Sequence, residues 1–175
     1  LDIVNARRGL DLSAFPLLSR LPDGASLEGY LFPGADPLEP GADSAALVRQ
    51  MLENFDRQVT PAMRQAFGAQ GLSLREAVIL ASIVEKEATL AEEKPLMAAV
   101  FLNRLRTGMR LQADPTVQYA VGYNGVADTW WKSPLDVADL AAESPYNTYL
   151  VDGLPPGPIS NPGLASLQAI AAPAD

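Results

Sequence analysis

The chain contains 175 residues, of which 48% are hydrophobic and 19% are charged, a balance that supplies a folded core and excludes wholesale disorder. Its formal net charge of −8 would repel nucleic-acid phosphates, so we expect no nucleic-acid partner. The absence of cysteine and histidine excludes disulfides, thiolate zinc sites, cysteine nucleophiles and Ser-His-Asp triads, and we predict neither a metal nor a cofactor. Any catalysis must therefore rest on carboxylates, lysine, tyrosine or hydroxyl groups.

Short helices are predicted first, over residues 1–9 and from residue 11 or 13 to about 20, and a loop rich in proline and glycine follows over 21–42. Capping residues and apolar spacing predict seven further helices, over 44–58, 61–68, 73–89, 92–106, 114–121, 133–142 and 164–171. In the first of these seven, the predicted buried face comprises Leu47, Met51, Phe55 and Val59. Strand signals are weak and are restricted to 30–32, 110–113 and 147–151. The sequence therefore predicts an α+β fold that is helix-dominated and has a small β-sheet.

The chain begins at Leu1, without a methionine and inside a predicted helix. No stretch reaches the roughly 18 consecutive apolar residues of a transmembrane helix. We therefore expect residues 1–175 to be a single domain cut from a longer protein.

The predicted helix over 73–89 is apolar on nearly all sides until it ends in Glu85-Lys86-Glu87, which predicts a position in the middle of the core. Glu85 and Glu87 each continue an apolar stripe and lie about 200° apart around the helix. Apolar surroundings and the negative end of the helix dipole both favour a protonated carboxyl group, which is what an acid that protonates a glycosidic oxygen requires. The alternative is that both glutamates only mark where the helix reaches water, and the helical geometry does not choose between them.

Two later segments carry side chains that are suited to binding sugars. Around residues 103–116, local capping explains Asp114 but leaves four residues without an evident structural role, namely Asn103, Arg104, Arg110 and Gln112. In the second segment, Tyr146 and Tyr149 flank polar residues ahead of a stiff loop of proline and glycine, and Trp130-Trp131 is a further stacking candidate. The alternatives are a rigid surface connector for the tyrosine segment and a core anchor for the tryptophans.

Six segments together resemble one known family, the endolytic murein transglycosylases, also called the YceG-like or MltG family. In chain order they are EGYLFP at 28–33, ASIVEKE at 81–87, VFLNRL at 100–105, GMRLQADPT at 108–116, SPYNTY at 144–149 and GLPPGPISNPGLASL at 153–167. They are spread over about 140 residues in the family's order. The chain departs from many relatives at Gly34-Ala35, where an Asp-Thr pair is usual, and at Ala172, where a histidine is common.

The resemblance implies a catalytic domain with a lysozyme-like active-site cleft and a single catalytic carboxylate. That residue is the second glutamate of the EKE motif, Glu87. We predict substrate binding by eight residues, namely Asn103, Arg104, Gln112, Asp114, Thr116, Tyr146, Asn147 and Tyr149. All of them except Thr116 are expected to face one groove that has Glu87 at its floor.

The resemblance also implies an activity and a location. Enzymes of this family cut the β-1,4 bond between N-acetylmuramic acid and N-acetylglucosamine in nascent peptidoglycan, leave 1,6-anhydromuramic ends, and are thought to terminate glycan elongation beside cell-wall synthases. The expected location is the outer side of the cell membrane, with a single N-terminal transmembrane helix, a LysM-like part and C-terminal strands that all lie outside this fragment.

Two other functions stay open at this point. The first is a muramidase that hydrolyses the same bond with water and uses Glu87 together with Asp114. The second is a non-catalytic module that binds glycan or serves as a scaffold.

Overall fold

Helices account for nearly all of the regular secondary structure in the computed structural model, which describes residues 10, 14–18, 26–34 and 41–174. In chain order the described helices are α1 (Ser44–Gln58), α2 (Pro61–Ala69), α3 (Leu74–Glu87), α4 (Lys94–Arg106), α5 (Asp114–Val121), α6 (Val137–Leu140) and α7 (Leu164–Ala171). A short 3-10 helix, Ala91–Glu93, leads into α4. The helix predicted over 1–9 lies outside the described residues. Of the helix predicted up to residue 20, only 14–18 are described, and they form a turn.

The predicted capping residues begin their helices as expected. The side chains of Asp43 and Thr60 accept hydrogen bonds from the backbone of the first turns of α1 and α2. Ser73 and Glu76 form the predicted reciprocal capping box at the start of α3. The prediction for α6 was too long, because Asp136 caps this helix and it covers only four residues.

The buried face of α1 differs from the prediction. Val48, Leu52 and Phe55 are buried, whereas Leu47 and Met51 are only partly buried. Val59, just beyond the helix, is also buried. The buried stripe is therefore rotated by about one residue, because spacing of four fits neighbouring stripes almost equally well.

Helix α3 forms the centre of the core, as its apolar composition predicts. All residues from Ala77 to Val84 are buried, and α2, α4, α5 and α7 pack against this helix. The buried hydroxyl of Ser82 accepts a hydrogen bond from the Ile159 N–H at 3.0 Å, and the Ser82 carbonyl accepts one from the Ser160 hydroxyl at 3.1 Å. The packing thus fixes the C-terminal end of α3 between other elements.

The predicted small sheet is not found in the described part of the chain, whose only β-pairing is an isolated antiparallel bridge between Asn124 and Thr129. Residues 147–151 form a turn, because the Leu150 and Val151 N–H groups both donate to the Asn147 carbonyl at 3.0 Å. Residues 110–113 make one backbone bond to this turn, from the Gln112 N–H to the Thr148 carbonyl at 3.1 Å. The positive φ of Gln112, 49°, prevents a longer strand there. In residues 30–32, the Phe32 N–H donates to the Met51 carbonyl of α1 rather than to a strand.

Across the described ranges, no helix on its own is both long and apolar enough to span a membrane. Helices α2 and α3 meet that criterion only when they are joined, and they are bent by 86° at the break between them.

Candidate active site

The two glutamates at the end of α3 lie in different environments. The Glu85 carboxylate accepts hydrogen bonds from Lys94 Nζ at 2.9 Å, from the Gly163 N–H at 3.0 Å and from the Ser166 hydroxyl. Burial raises the pKa of Glu85, but these three donors together outweigh burial and hold the pKa below its ordinary value. Glu85 therefore ties α3 to α4 and α7 as an ionised carboxylate.

Glu87 has no hydrogen-bond partner among the described residues, and solvent reaches its side chain. The surrounding protein nevertheless removes part of the hydration of the carboxyl group, which raises its pKa. The negative charge of Asp114 raises the pKa further, whereas the positive charge of Arg104 opposes both effects. Glu87 is thus an accessible carboxyl group that holds its proton to higher pH than an ordinary glutamate.

Asp114, Arg104 and Tyr149 complete what we call the Glu87 cluster. The Tyr149 hydroxyl donates to Asp114 Oδ1 at 2.6 Å. That bond, burial and the charge of Asp114 raise the pKa of Tyr149 to about 12, with a further contribution from Glu87. Arg104 donates from Nη1 to the Leu111 carbonyl, so the guanidinium fixes the chain that leads into α5. The cluster thus combines one protonatable acid, one ionised carboxylate, one cation and one phenol.

The start of α5 follows from its local sequence. Asp114 and Pro115 are the first two residues of the helix. An acidic side chain interacts favourably with the positive end of the helix dipole at this position, and the N–H group that proline lacks would have no partner within the helix. The approaching chain is fixed by the backbone bond between Gln112 and Thr148. Asp114 is thereby presented at the helix terminus, next to Tyr149.

Two predicted substrate-binding residues instead have internal roles. Thr116 and Asn147 are both 0% exposed. The Thr116 hydroxyl donates to the Ala113 carbonyl at 2.6 Å and lies 2.8 Å from the Thr148 hydroxyl. The Asn147 amide donates to the Leu140 and Ala142 carbonyls and accepts from the Tyr149 N–H at 3.0 Å. Both side chains are therefore buried and use their polar atoms in internal hydrogen bonds, so the structure favours a role in holding the turn over a direct glycan contact.

The remaining predicted residues are divided. Gln112 is exposed and lies in the chain segment that joins the Leu111 carbonyl to Asp114. Asn103 is exposed, and its amide oxygen accepts from Arg106 at 3.4 Å; no contact among the described residues links it to Glu87. Tyr146 packs against Tyr119, with ring centroids 4.8 Å apart. Tyr146 therefore contacts a different residue of α5 from Tyr149, which contacts Asp114.

A second group of side chains lies beside the Glu87 cluster; the sequence named its Trp131 as a stacking candidate but did not assign Glu28 or Tyr119 to the site. The Tyr119 hydroxyl donates to Glu28 Oε2 at 2.7 Å, and Lys86 Nζ lies 4.0 Å from the ring centroid of Trp131. Glu28 stands in the EGYLFP segment, one of the six segments that carry the family resemblance, but no role was predicted for this side chain. The available signal was the position of Tyr119 on the same short helix as Asp114.

The chain was compared with known proteins. The profile of the YceG-like family matches residues 4–175. The endolytic murein transglycosylase of Bacillus subtilis (strain 168) is 37% identical over 144 residues, which are 82% of this chain and 38% of that protein. The endolytic murein transglycosylase of Streptococcus pneumoniae serotype 2 (strain D39 / NCTC 7466) is 35% identical over 144 residues, 82% of this chain and 25% of that protein.

A solved structure of a yceG-like protein from Listeria monocytogenes superposes with a TM-score of 0.76 at 34% identity, and covers 99% of this chain and 54% of the solved one. This chain thus spans well under two thirds of the length of each of these relatives. The family profile nevertheless covers nearly the whole sequence, and the chain belongs to the YceG-like family.

Proposed function

We propose that this domain is a lytic transglycosylase that cuts the β-1,4 bond between N-acetylmuramic acid and N-acetylglucosamine within peptidoglycan strands. The observation that carries the proposal is the state of Glu87, which is accessible, free of hydrogen-bond partners among the described residues and raised in pKa. The names of two relatives, both endolytic murein transglycosylases, support the same activity.

The proposed mechanism uses Glu87 twice. Protonated Glu87 gives its proton to the glycosidic oxygen as the bond to the anomeric carbon breaks. The C6 hydroxyl of the muramic acid then attacks that carbon, and the Glu87 carboxylate accepts the hydroxyl proton. A 1,6-anhydro ring closes, and the regenerated acid is ready for the next strand. The reaction therefore consumes no water and requires no second catalytic carboxylate.

The other members of the Glu87 cluster have supporting roles in this proposal. Ionised Asp114 helps to keep the proton on Glu87 before the reaction, and Arg104 stabilises the Glu87 carboxylate after the proton has left. In this proposal the exposed side chains of Glu87, Gln112 and Asp114 border a lysozyme-like cleft.

A hydrolytic muramidase is the second candidate, because Asp114 lies close enough to Glu87 to influence its pKa. Inverting and many retaining glycosidases use two carboxylates, one as acid and one as base or nucleophile. In this structure the Tyr149 hydroxyl donates to Asp114 Oδ1, so one of the two oxygens already has a partner. That bond favours a supporting role for Asp114.

The products distinguish the two activities. Purified peptidoglycan digested with the domain should yield muropeptides whose muramic ends are lighter by one water than ordinary reducing ends, as mass spectrometry would detect. Reducing ends would instead establish hydrolysis, and an undigested sample would contradict both enzymatic proposals.

We further propose that the parent protein acts at the outer face of the cell membrane, anchored by a single transmembrane helix outside this fragment, on nascent strands beside cell-wall synthases. The location of the proposed substrate supports this placement. Protease treatment of intact cells without an outer barrier should remove the domain, and protection of the domain would contradict the placement.

A further inference from the structure

We propose that a cavity next to the Glu87 cluster binds a neighbouring sugar unit of the same glycan strand, an inference that rests on the proposed function. This aromatic cavity has a volume of about 740 Å³, and its lining includes Glu28, Tyr119, Trp130 and Trp131. Its volume is in the range of small-molecule sites. Its walls combine ring faces with carboxylate oxygens, the pairing that a sugar ring with apolar faces and polar edges requires.

Trp131 is the main stacking surface in this proposal, because its indole ring is held in place. Lys86 Nζ lies over one face of the ring, 4.0 Å from its centroid, a cation–π contact. The Trp131 N–H of the backbone donates to the Thr129 hydroxyl at 3.0 Å. The indole also lines the cavity, so an aromatic surface held by Lys86 is available to a ligand there.

Trp130 extends this surface toward solvent. Its side chain is 64% exposed and rests against Tyr123, with ring centroids 5.4 Å apart. Exposed aromatic rings grouped at the rim of a cavity are typical of binding sites rather than of an inert surface. A strand of sugars has both the length and the apolar ring faces to cover them.

Glu28 supplies the polar contact. Its Oε2 accepts the Tyr119 hydroxyl at 2.7 Å, while no described residue donates to Oε1. The Tyr119 ring is itself held by its contact with Tyr146. One carboxylate oxygen therefore fixes the side chain, and the other is available to accept a sugar hydroxyl or an acetamide N–H.

Neighbouring side chains place the cavity close to the Glu87 cluster. Asp114 of the cluster and Tyr119 of the cavity lie five residues apart on α5, a rise of about 7.5 Å along the helix. The neighbouring segment runs alongside both positions, because Tyr149 contacts Asp114 of the cluster and Tyr146 contacts Tyr119 of the cavity. Lys86 also directly precedes Glu87 in the chain and contacts Trp131. A strand whose reacting bond lies at Glu87 would thus bring a neighbouring sugar to the cavity.

The test is isothermal titration calorimetry with tetra-N-acetylchitotetraose, an uncut probe, on the Glu87→Gln protein. Adding Trp131→Ala should weaken binding about tenfold, and Trp131→Phe should restore most of the affinity because it keeps an aromatic face. Trp130→Ala, at an exposed position where folding is not at risk, should weaken binding a few-fold. Val126→Ala is the control, because Val126 is fully exposed on the same segment and does not line the cavity.

Thermal melts of each variant separate lost binding from lost folding. If Trp131→Ala and Trp130→Ala both bind the probe as tightly as the Glu87→Gln parent, or if that parent shows no measurable binding, the subsite is overturned. If wild-type protein still cleaves peptidoglycan in that case, the proposed function stands and only this inference fails. If wild-type protein leaves peptidoglycan uncut, the proposed function fails first.

Discussion

Glu85 and Glu87 stand two positions apart on one helix, and their surroundings shift the pKa values of the two carboxyl groups in opposite directions. Three donors stabilise the charge of Glu85, whereas partial burial and the Asp114 charge favour the proton on Glu87. The two surroundings therefore separate a structural carboxylate, Glu85, from a carboxyl group that can hold and give up a proton, Glu87.

Glu85→Gln should destabilise the fold without removing the chemistry. Gln carries no charge to balance Lys94, so we expect a loss of about 1–3 kcal/mol in the free energy of unfolding at neutral pH. Because the folded pKa of Glu85 is lowered, its contribution is present above the unfolded pKa and is lost as pH falls through the folded pKa. Denaturant titrations of both proteins should therefore converge in acid, and a constant difference would contradict this account.

The raised pKa of Glu87 has the opposite consequence for stability. The folded state binds this proton more tightly, so the contribution is complete below the unfolded pKa of about 4.3 and is lost as pH rises through the folded value. Glu87→Gln should therefore lose less stability than wild type between mildly acidic and neutral pH. Melting curves for both proteins test this, and parallel pH dependence would show that the free protein does not hold Glu87 protonated.

Asp114→Asn should lower the pKa of Glu87, because the substitution removes one of the charges that raise it. NMR titration of the glutamate carboxyl carbons measures the shift in the free protein. Asp152→Asn is the control, since Asp152 is paired with Arg110 in an exposed salt bridge and should leave Glu87 unaffected. An unchanged or increased pKa in Asp114→Asn would contradict the cluster as described.

At the scale of elements, the loop at 26–34 is attached to the segment before α7 through one side chain. Asn161 Oδ1 accepts from the Gly29 N–H at 2.7 Å and from the Leu31 N–H at 3.2 Å. These bonds hold Glu28 beside α5. The position of the loop therefore depends on the close approach of the Gly29 backbone to Asn161.

Gly29→Ala should displace this loop. Gly29 has a φ of 91°, and an added Cβ would lie 2.4 Å from Pro158 Cγ. Gly71 is a matched control, because its φ of 80° is similar but an added Cβ meets nothing within 4 Å. We expect Gly71→Ala to cost about 1 kcal/mol of unfolding free energy from backbone strain, and Gly29→Ala to cost about 1–3 kcal/mol more from crowding. Equal losses in denaturant titrations would show that the contact is not tight.

The helices were predictable because local signals specify them. Asp43, Thr60, Ser73 and Pro115 act within one turn of their own position, and the apolar run before Glu85 predicts a core helix without any knowledge of its neighbours. The predicted strands at 110–113 and 147–151 failed because pairing depends on a distant partner, and the positive φ of Gln112 has no clear signal in the sequence.

The candidate site was only partly predictable for the same reason. Glu87, Arg104, Asp114 and Tyr149 were all named from the sequence and motif resemblance, and the structure brings them together. Thr116 and Asn147 have the right chemistry for sugars, but Thr116 is held by the Ala113 carbonyl and by the distant Thr148 hydroxyl, and Asn147 is held by the Leu140 and Ala142 carbonyls. Polar residue type alone does not distinguish a ligand contact from an internal one.

At the scale of the whole molecule, one cluster of buried side chains connects residues from Phe15 to Ile170. Helix α3 lies at its centre and carries Glu87 at its end. The same helix thus supports both folding and the site.

Leu80→Ala tests this coupling, because Leu80 is fully buried on α3. The cavity should cost about 2–5 kcal/mol of unfolding free energy, and a single transition should persist because the described core is continuous. Circular dichroism and tryptophan fluorescence should report the same midpoint. Two separate transitions would mean that the core is not one unit.

Glu87 as the acid of a transglycosylation is tested most directly by counting anhydro ends released from purified peptidoglycan by wild type, Glu85→Gln and Glu87→Gln, at a temperature where all three are folded. We expect abundant 1,6-anhydro ends from wild type, a modest reduction for Glu85→Gln and almost none for Glu87→Gln, because an amide cannot donate the required proton. Equal losses in both variants, or anhydro ends released by Glu87→Gln at the wild-type rate, would contradict the assignment of Glu87 as the acid.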